Sequence, residues 1–389
     1  MENSLHEYYS NLKIQPTHAS FASSEELEKY NKVRKSVFLK LNLPYTYFKG
    51  KEGLELGPDT GENSLIFGSW DVKLTLSEPN TLAHPMISDY FKKFKLTDNL
   101  VEVKNLSVEQ FTDTKQYDFI DAEGFIYTVK PHESWIKSLK NYIKSDGFFI
   151  LSYYEFYGSF FELFLKAIYS RAVQGNKYAD ELATAELLFQ TKWDTIPHTR
   201  KFKSWYYDVI KNPYVRKEYI INNDEFLTSA YENKYRLYSS YPSLKKGTDL
   251  SWIKAEVTTK GEYTDIIATY NERKLGYFLG MHINNVPDSV NSLLYELISI
   301  TDAMIDQYTP EACKRAEEIL VLLTESLETA RPANKPAQID SALHTLEMYR
   351  SIFKSIAAGP EEQLINDCCN NKIFLETWGS PVFYVVLSA

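Results

Sequence analysis

The sequence predicts an α/β protein with a doubly wound, mostly parallel sheet, helices on both faces, an N-terminal helical cap and helical insertions. Three observations carry this. Short apolar runs alternate with helical patterns between residues 51 and 152. A glycine loop, Gly57-Pro58-Asp59-Thr60-Gly61, directly follows the first run. The fifth run, Phe148-Phe149-Ile150-Leu151-Ser152, is apolar almost throughout, as befits a strand covered on both faces.

The elements follow in order. Ser23-Ser24-Glu25-Glu26 starts a helix, with a hydroxyl cap and acids in its first turn. Leu27 to Leu41 continues at helical spacing until Leu43-Pro44 stops it, so residues 1–50 form the cap. A strand through Gly53–Gly57 leads to a helix from Asn63 to Trp70. A second strand, Val72–Ser77, ends at Glu78-Pro79-Asn80. After a helix through Met86–Phe94 come strands at Leu100–Val103 and Tyr117–Ile120, the latter ending at Asp121-Ala122-Glu123-Gly124. A helix from Glu133 to Ile143 passes through Asp146-Gly147 into the fifth strand.

Beyond Tyr153 the rhythm breaks. Residues 51–153 are therefore read as the core and 154–233 as a helical, aromatic-rich insertion. Residues 234–285 are read as late core strands, with candidates at Tyr235–Tyr241 and Asp265–Tyr270. Residues 286–360 form a helical hairpin with a Pro/Ala joint at 331–336, and 361–389 ends in a β-rich run, Val382–Leu387, that completes the sheet.

Composition removes several function classes. The chain has 389 residues, 44% of them hydrophobic, and a net charge of −9, which disfavours a nucleic-acid partner because phosphate binding needs clustered Lys and Arg. Cys313, Cys368 and Cys369 form no paired framework and read as free thiols in a reducing compartment. No apolar run reaches the ~20 residues of a membrane span. The first fifteen residues lack the pattern of a signal peptide, so a cytoplasmic location with no membrane partner is expected. His84, His132 and His198 are scattered without partners at metal-ligand spacing, so no metal is expected.

The glycine loop carries the chemistry. At a strand-to-helix turn of a doubly wound sheet, ligands dock outside the strands' carboxyl ends. Glycine lets backbone approach a ligand, and the free N–H groups of the next helix favour a carboxylate or phosphate. A P-loop is excluded because no Lys follows, and the dinucleotide fingerprint is excluded because the loop reads Gly-x-x-x-Gly. Glu78, 21 positions after Gly57, is suited to a ribose diol.

Leu54-Glu55-Leu56-Gly57-Pro58-Asp59-Thr60-Gly61 resembles motif I of the class I S-adenosylmethionine-dependent methyltransferases, with Asp59 in place of the central glycine. Glu78, Asn105-Leu106-Ser107, the Tyr117–Gly124 stretch and Lys144–Leu151 fall where that family has its later motifs. The resemblance covers about residues 51–152. It implies a Rossmann-like fold, transfer of a methyl group, and S-adenosylmethionine as cofactor. The implied cofactor residues are Glu55, Gly57, Pro58, Asp59, Gly61, Asn63, Ser64, Glu78, Pro79, Asn105, Leu106, Ser107, Asp121 and Ala122. Asp59 would either crowd the cofactor's carboxylate or cap the next helix, and capping is the expectation.

An oxygen acceptor would need a base, and the family shares no single one. His198, in a polar turn of the insertion, and Glu123, directly after the fourth strand, are the candidates. Tyr153, just after the fifth strand, is a third catalytic candidate; of the neighbours Tyr153 and Tyr154, one lines the pocket and one packs. Plainer readings stand beside these: His198 as a hydrogen-bonding surface residue, and His132 as a helix-start residue.

Trp193, Trp205, Tyr206 and Tyr207, with Arg200 and Arg216 nearby, suit a small polar or anionic acceptor beneath the 154–233 insertion, such as a sugar or nucleotide-sugar. A peptide or protein acceptor is the runner-up. The non-enzymatic alternative is a cofactor-binding interaction protein that forms a homodimer through the C-terminal helices. The stripe Ile319, Leu322, Leu323 and Leu327 would be its seam, or simply core.

Overall fold

The computed structural model describes residues 4–12, 21–174, 180–196, 201–246, 259–283, 287–329, 336–359 and 361–389. Seven strands lie among the described residues: β1 (Glu52–Leu56), β2 (Lys73–Ser77), β3 (Leu100–Lys104), β4 (Tyr117–Glu123), β5 (Ile143–Tyr154), β6 (Arg236–Tyr241) and β7 (Val382–Ser388). The chain divides into two compact units. One comprises Met1–Tyr153, Ile221–Thr269 and Val382–Ala389; the other comprises Tyr154–Ile220 and Tyr270–Pro381.

The first unit holds one sheet in the order β3-β2-β1-β4-β5-β7-β6. Strands β1 to β5 pair in parallel, while β6 and β7 are antiparallel. The chain runs outward from β1 through β2 to β3, then returns to place β4 on the other side of β1. The strand order thus reverses between β1 and β4, and in such sheets a crevice opens there at the carboxyl ends.

Local chemistry explains the flanking helices. The Ser23 hydroxyl accepts from the Glu26 N–H and starts the Ser24–Lys40 helix, as the sequence predicts. That helix lays Phe38 into an aromatic cluster with Phe48, Phe67, Trp70 and Phe119, all at most 6% exposed. The rings meet edge-on or tilted: Phe38–Phe48 and Phe48–Phe119 centroids are both 4.9 Å apart. This cluster locks one face of β1 and β4 against the helices beside the glycine loop.

Two elements differ from expectation. Asp265–Tyr270 lies inside a helix, Thr259–Asn271, not a strand. Its buried residues, Tyr263, Ile266, Thr269 and Tyr270, recur at helical spacing, and the β-branched pair Ile266-Ile267 had obscured that period. The helix before β5 stops at Leu139, and β5 begins at Ile143. Tyr117 pairs with Ile143 but Phe119 with Phe148, so the Lys144–Gly147 stretch bulges out of register.

The second unit is helical. Phe160–Gln174 is buried on nearly every side, and Phe160, Phe161, Phe164, Phe278, Tyr349 and Phe353 pack within this unit. Of the aliphatic stripe, Ile319, Leu323 and Leu327 are buried core, while Leu322 is 40% exposed. Among the described residues no helix is long and apolar enough to cross a membrane.

Phe48 touches five rings at once, so Phe48→Ala leaves a cavity none of them can close. It should cost about 3–5 kcal/mol, read as a lower denaturant midpoint with an unchanged slope.

Candidate functional site

The loop after β1 is built on alternate left-handed residues: Gly57, Asp59 and Gly61 have φ of 60°, 50° and 88°. The Gly57 N–H donates to the Ser77 carbonyl at 2.9 Å, which ties the loop to β2. A Cβ at Gly57 would lie 2.6 Å from the Phe125 ring, so only glycine fits. Asp59 takes the left-handed place that Asp tolerates better than most residues.

Gly61 occupies the N-cap position of Glu62–Ser69. The Asp59 N–H donates to Glu78 Oε2 at 3.0 Å. Glu78 Oε1 accepts from the Asn80 N–H at 2.7 Å. One carboxylate therefore staples the loop after β1 to the loop after β2. Burial pushes Glu78 up to about 7, against the pull of those two N–H donors. The third loop joins them: the Ser77 hydroxyl donates to the Leu106 carbonyl at 2.8 Å, and the Ser107 N–H to Gln110. Asn105 is exposed, whereas Pro58 is buried and Pro79 half-buried.

Across the strand reversal lies a group of acids. Glu55 and Asp121 stand opposite each other in register. Glu55 is 3% exposed and Asp121 and Ala122 0%. Burial raises Glu55 to about 8, a shift that the neighbouring Ser64 hydroxyl opposes and the charge of Glu123 reinforces. Burial first, then the charges of Glu123 and Glu55, hold Asp121 well above the carboxylate range. Ser64 and Glu55 lie side by side, as do Asp121 and Glu123, but hydrogen-bond geometry is not met. Glu55 Oε2, Ser64 Oγ and both Asp121 oxygens are buried and unpartnered.

Glu123 is different. Arg34 donates to both of its oxygens, at 2.8 and 2.5 Å, and the Tyr384 hydroxyl to Oε2 at 3.0 Å. Burial opposes ionisation, yet the Arg34 charge and these donors hold Glu123 below its ordinary value. The Tyr30 hydroxyl, one turn before Arg34, donates to Asn63 Oδ1 at 2.7 Å. Glu62 is buried and accepts from the Thr60 hydroxyl; burial raises it to about 7.

Of the sequence-predicted catalytic residues, Glu123 and Tyr153 lie among the described residues. His198 lies outside the described residues. The ionised Glu123 has both oxygens engaged, which suits an anchor better than a base. Tyr153 is fully buried, packs on Phe226 and donates its hydroxyl to Asn223 Oδ1 at 2.6 Å. His132 starts a helix with its Nε2 3.0 Å from the Tyr127 carbonyl.

In the second unit, Trp193, Trp205 and Tyr206 are core, and Arg216 is held by Asp302 and Asp306 at 2.8 and 2.7 Å. That guanidinium is occupied, so it lends no support to an anionic acceptor. Glu155, passed over in the sequence, is the first residue after β5. Its carboxyl is fully buried, accepts from the Tyr270 hydroxyl, and accepts from the Gly158 N–H at 2.7 Å. Lys274 Nζ lies over the Tyr157 and Tyr270 rings, at 5.0 and 5.1 Å. Burial raises Glu155 to about 7, with Tyr270, Gly158, Tyr157 and Lys274 opposing.

The profile of a methyltransferase-domain family matches residues 26–222, just over half the chain. Among solved structures, the chain is similar to coclaurine N-methyltransferase bound to N-methylheliamine and SAH (11% identity, 96% of this chain and 75% of that one, TM-score 0.37). It is also similar to the N-methyltransferase NodS of Bradyrhizobium japonicum with S-adenosyl-L-homocysteine (14%, 38% and 74%, 0.29). A third likeness is to TehB of Haemophilus influenzae (15%, 38% and 45%, 0.26). No curated protein matches in sequence.

The residues present fit S-adenosylmethionine: a close backbone loop, an acid at the end of β2, and buried acids without a counter-charge. Replacing Glu78 with Ala should unstaple two loops and weaken S-adenosylmethionine binding at least tenfold, about 1.4 kcal/mol, by calorimetry; unchanged affinity would remove Glu78 from the site.

The raised acids also set a pH dependence. Glu55, Glu62 and Glu78 hold protons more tightly folded than unfolded. Their contribution is full below the unfolded value near 4.5 and is lost as pH rises through about 7 to 8. The melting midpoint of the ligand-free protein should therefore fall between about pH 5 and 8, and Glu55→Gln should flatten the slope.

Proposed function

Because the chain belongs to the methyltransferase-domain family, we propose that it methylates a small polar acceptor at a hydroxyl or an amine, with a sugar or nucleotide-sugar as the leading class. The observation that carries this reading is the Glu78 carboxylate, which joins the glycine loop to the loop after β2 at the carboxyl ends of the parallel strands, where doubly wound sheets take their ligands. A net charge of −9 counts against a nucleic-acid acceptor.

When bound, S-adenosylmethionine supplies a methyl group already activated as a sulfonium. The chain's remaining tasks are alignment and proton removal. Alignment alone is worth about 7–11 kcal/mol in well-oriented reactions. The stapled loops after β1, β2 and β3 hold the cofactor side of that alignment. A hydroxyl acceptor needs a base for its proton, whereas an amine acts as nucleophile in its neutral form.

Methyl-labelled S-adenosylmethionine, incubated with the protein and a size-fractionated extract, should label the small-molecule fraction. Label confined to peptides would overturn the acceptor class. Cofactor binding with no transfer to any fraction would favour an interaction protein.

A further inference from the structure

The first unit buries more acid than its own cations balance. Glu55 and Asp121 face each other across β1 and β4; Glu55 Oε2, both Asp121 oxygens and Ser64 Oγ are buried without a hydrogen-bond partner, and Ser64 neighbours Glu55. The charged and titratable groups around them are Glu123 on β4, Arg34 and Tyr30 on the Ser24–Lys40 helix, Glu62 after the glycine loop, and Tyr384 on β7. Only Arg34 is cationic, and both of its terminal nitrogens are engaged by Glu123. A buried carboxyl without a counter-ion keeps its proton; an arriving cation reverses that preference.

We propose that the Glu55–Asp121 pair senses the cofactor's sulfonium charge, holding its protons while that charge is absent and releasing one to solvent when S-adenosylmethionine binds. The inference rests on placing the cofactor against the Gly57–Gly61 loop. The step balances: one carboxyl O–H breaks, the proton goes to bulk buffer, and the carboxylate faces the new positive charge. Once the methyl group has left, the sulfur is a neutral thioether and the carboxylate recovers a proton. The raised titration of both acids supports this assignment. Affinity for S-adenosylmethionine then rises with pH, by up to about tenfold per unit, until Glu55 ionises unaided near 8. Affinity for S-adenosylhomocysteine stays nearly flat. Both ligands carry the same α-ammonium, so their difference isolates the charge on sulfur.

Calorimetric titration of the full chain with each ligand, in buffers of different ionisation enthalpy near neutral pH, counts the protons. S-adenosylmethionine should release about one more than S-adenosylhomocysteine. The double variant Glu55→Gln/Asp121→Asn should release no excess and should bind the two ligands in a ratio independent of pH. Equal proton counts for the two ligands on the native protein would overturn the proposal, whatever the variant does. If Glu78→Ala binds both ligands like the native protein, the placement of the cofactor fails instead, and the proposal with it.

Discussion

The ion pair between Arg34 and Glu123 is the interaction on which the site depends. It is buried on both sides, bidentate, and closed by the Tyr384 hydroxyl. Its three residues come from the N-terminal helix, β4 and the last strand, so the pair joins segments separated by most of the chain. Buried ion pairs add little net stability, because desolvation offsets much of the attraction. What they impose is geometry: losing either partner strands a charge, so the helix has few alternative places to lie. Tyr30, one turn away on the same helix, then meets Asn63 beside the glycine loop. The helix is thereby keyed to both sides of the strand reversal.

Around that frame, the crevice loops are held mainly by backbone. Left-handed residues at 57, 59 and 61 fold the chain tightly and turn N–H groups toward Ser77 and Glu78. Glu78 accepts from two loops, so its carboxylate acts as a structural joint as well as a ribose candidate. Position 59 asks for a residue that tolerates positive φ and brings an N–H to Glu78, and Asp meets both demands.

The cofactor half was legible because its chemistry is local. A glycine loop, an acid ending the next strand and an apolar parallel strand are all written in short contiguous stretches, and each lies where it was read. The long-range partners were not. Nothing near residue 34 announces that it meets residues 123 and 384, and nothing at Glu155 announces Tyr270, 115 residues away. The Thr259–Asn271 helix was misread because two adjacent isoleucines mimic a strand until the burial of Tyr263 and Tyr270 restores the helical period. Local patterns encode elements and loops, while buried polar partners are set by topology.

The tyrosines carry the same lesson into the question of the acceptor. With 29 in the chain, a ring-lined sugar pocket was an attractive reading. Yet Tyr153 donates to Asn223, Tyr235 to the Ile136 carbonyl, Tyr263 to the Tyr235 carbonyl, and Tyr169 and Tyr206 bond each other. These phenols fill core while satisfying groups that would otherwise be buried unpaired, which a phenylalanine cannot do. Their number therefore reports on packing and says nothing about substrate. Discrimination among acceptors needs buried polar groups whose bonding changes with the ligand. In the second unit, the buried Glu155 carboxyl is itself held by the Tyr270 hydroxyl and the Gly158 N–H.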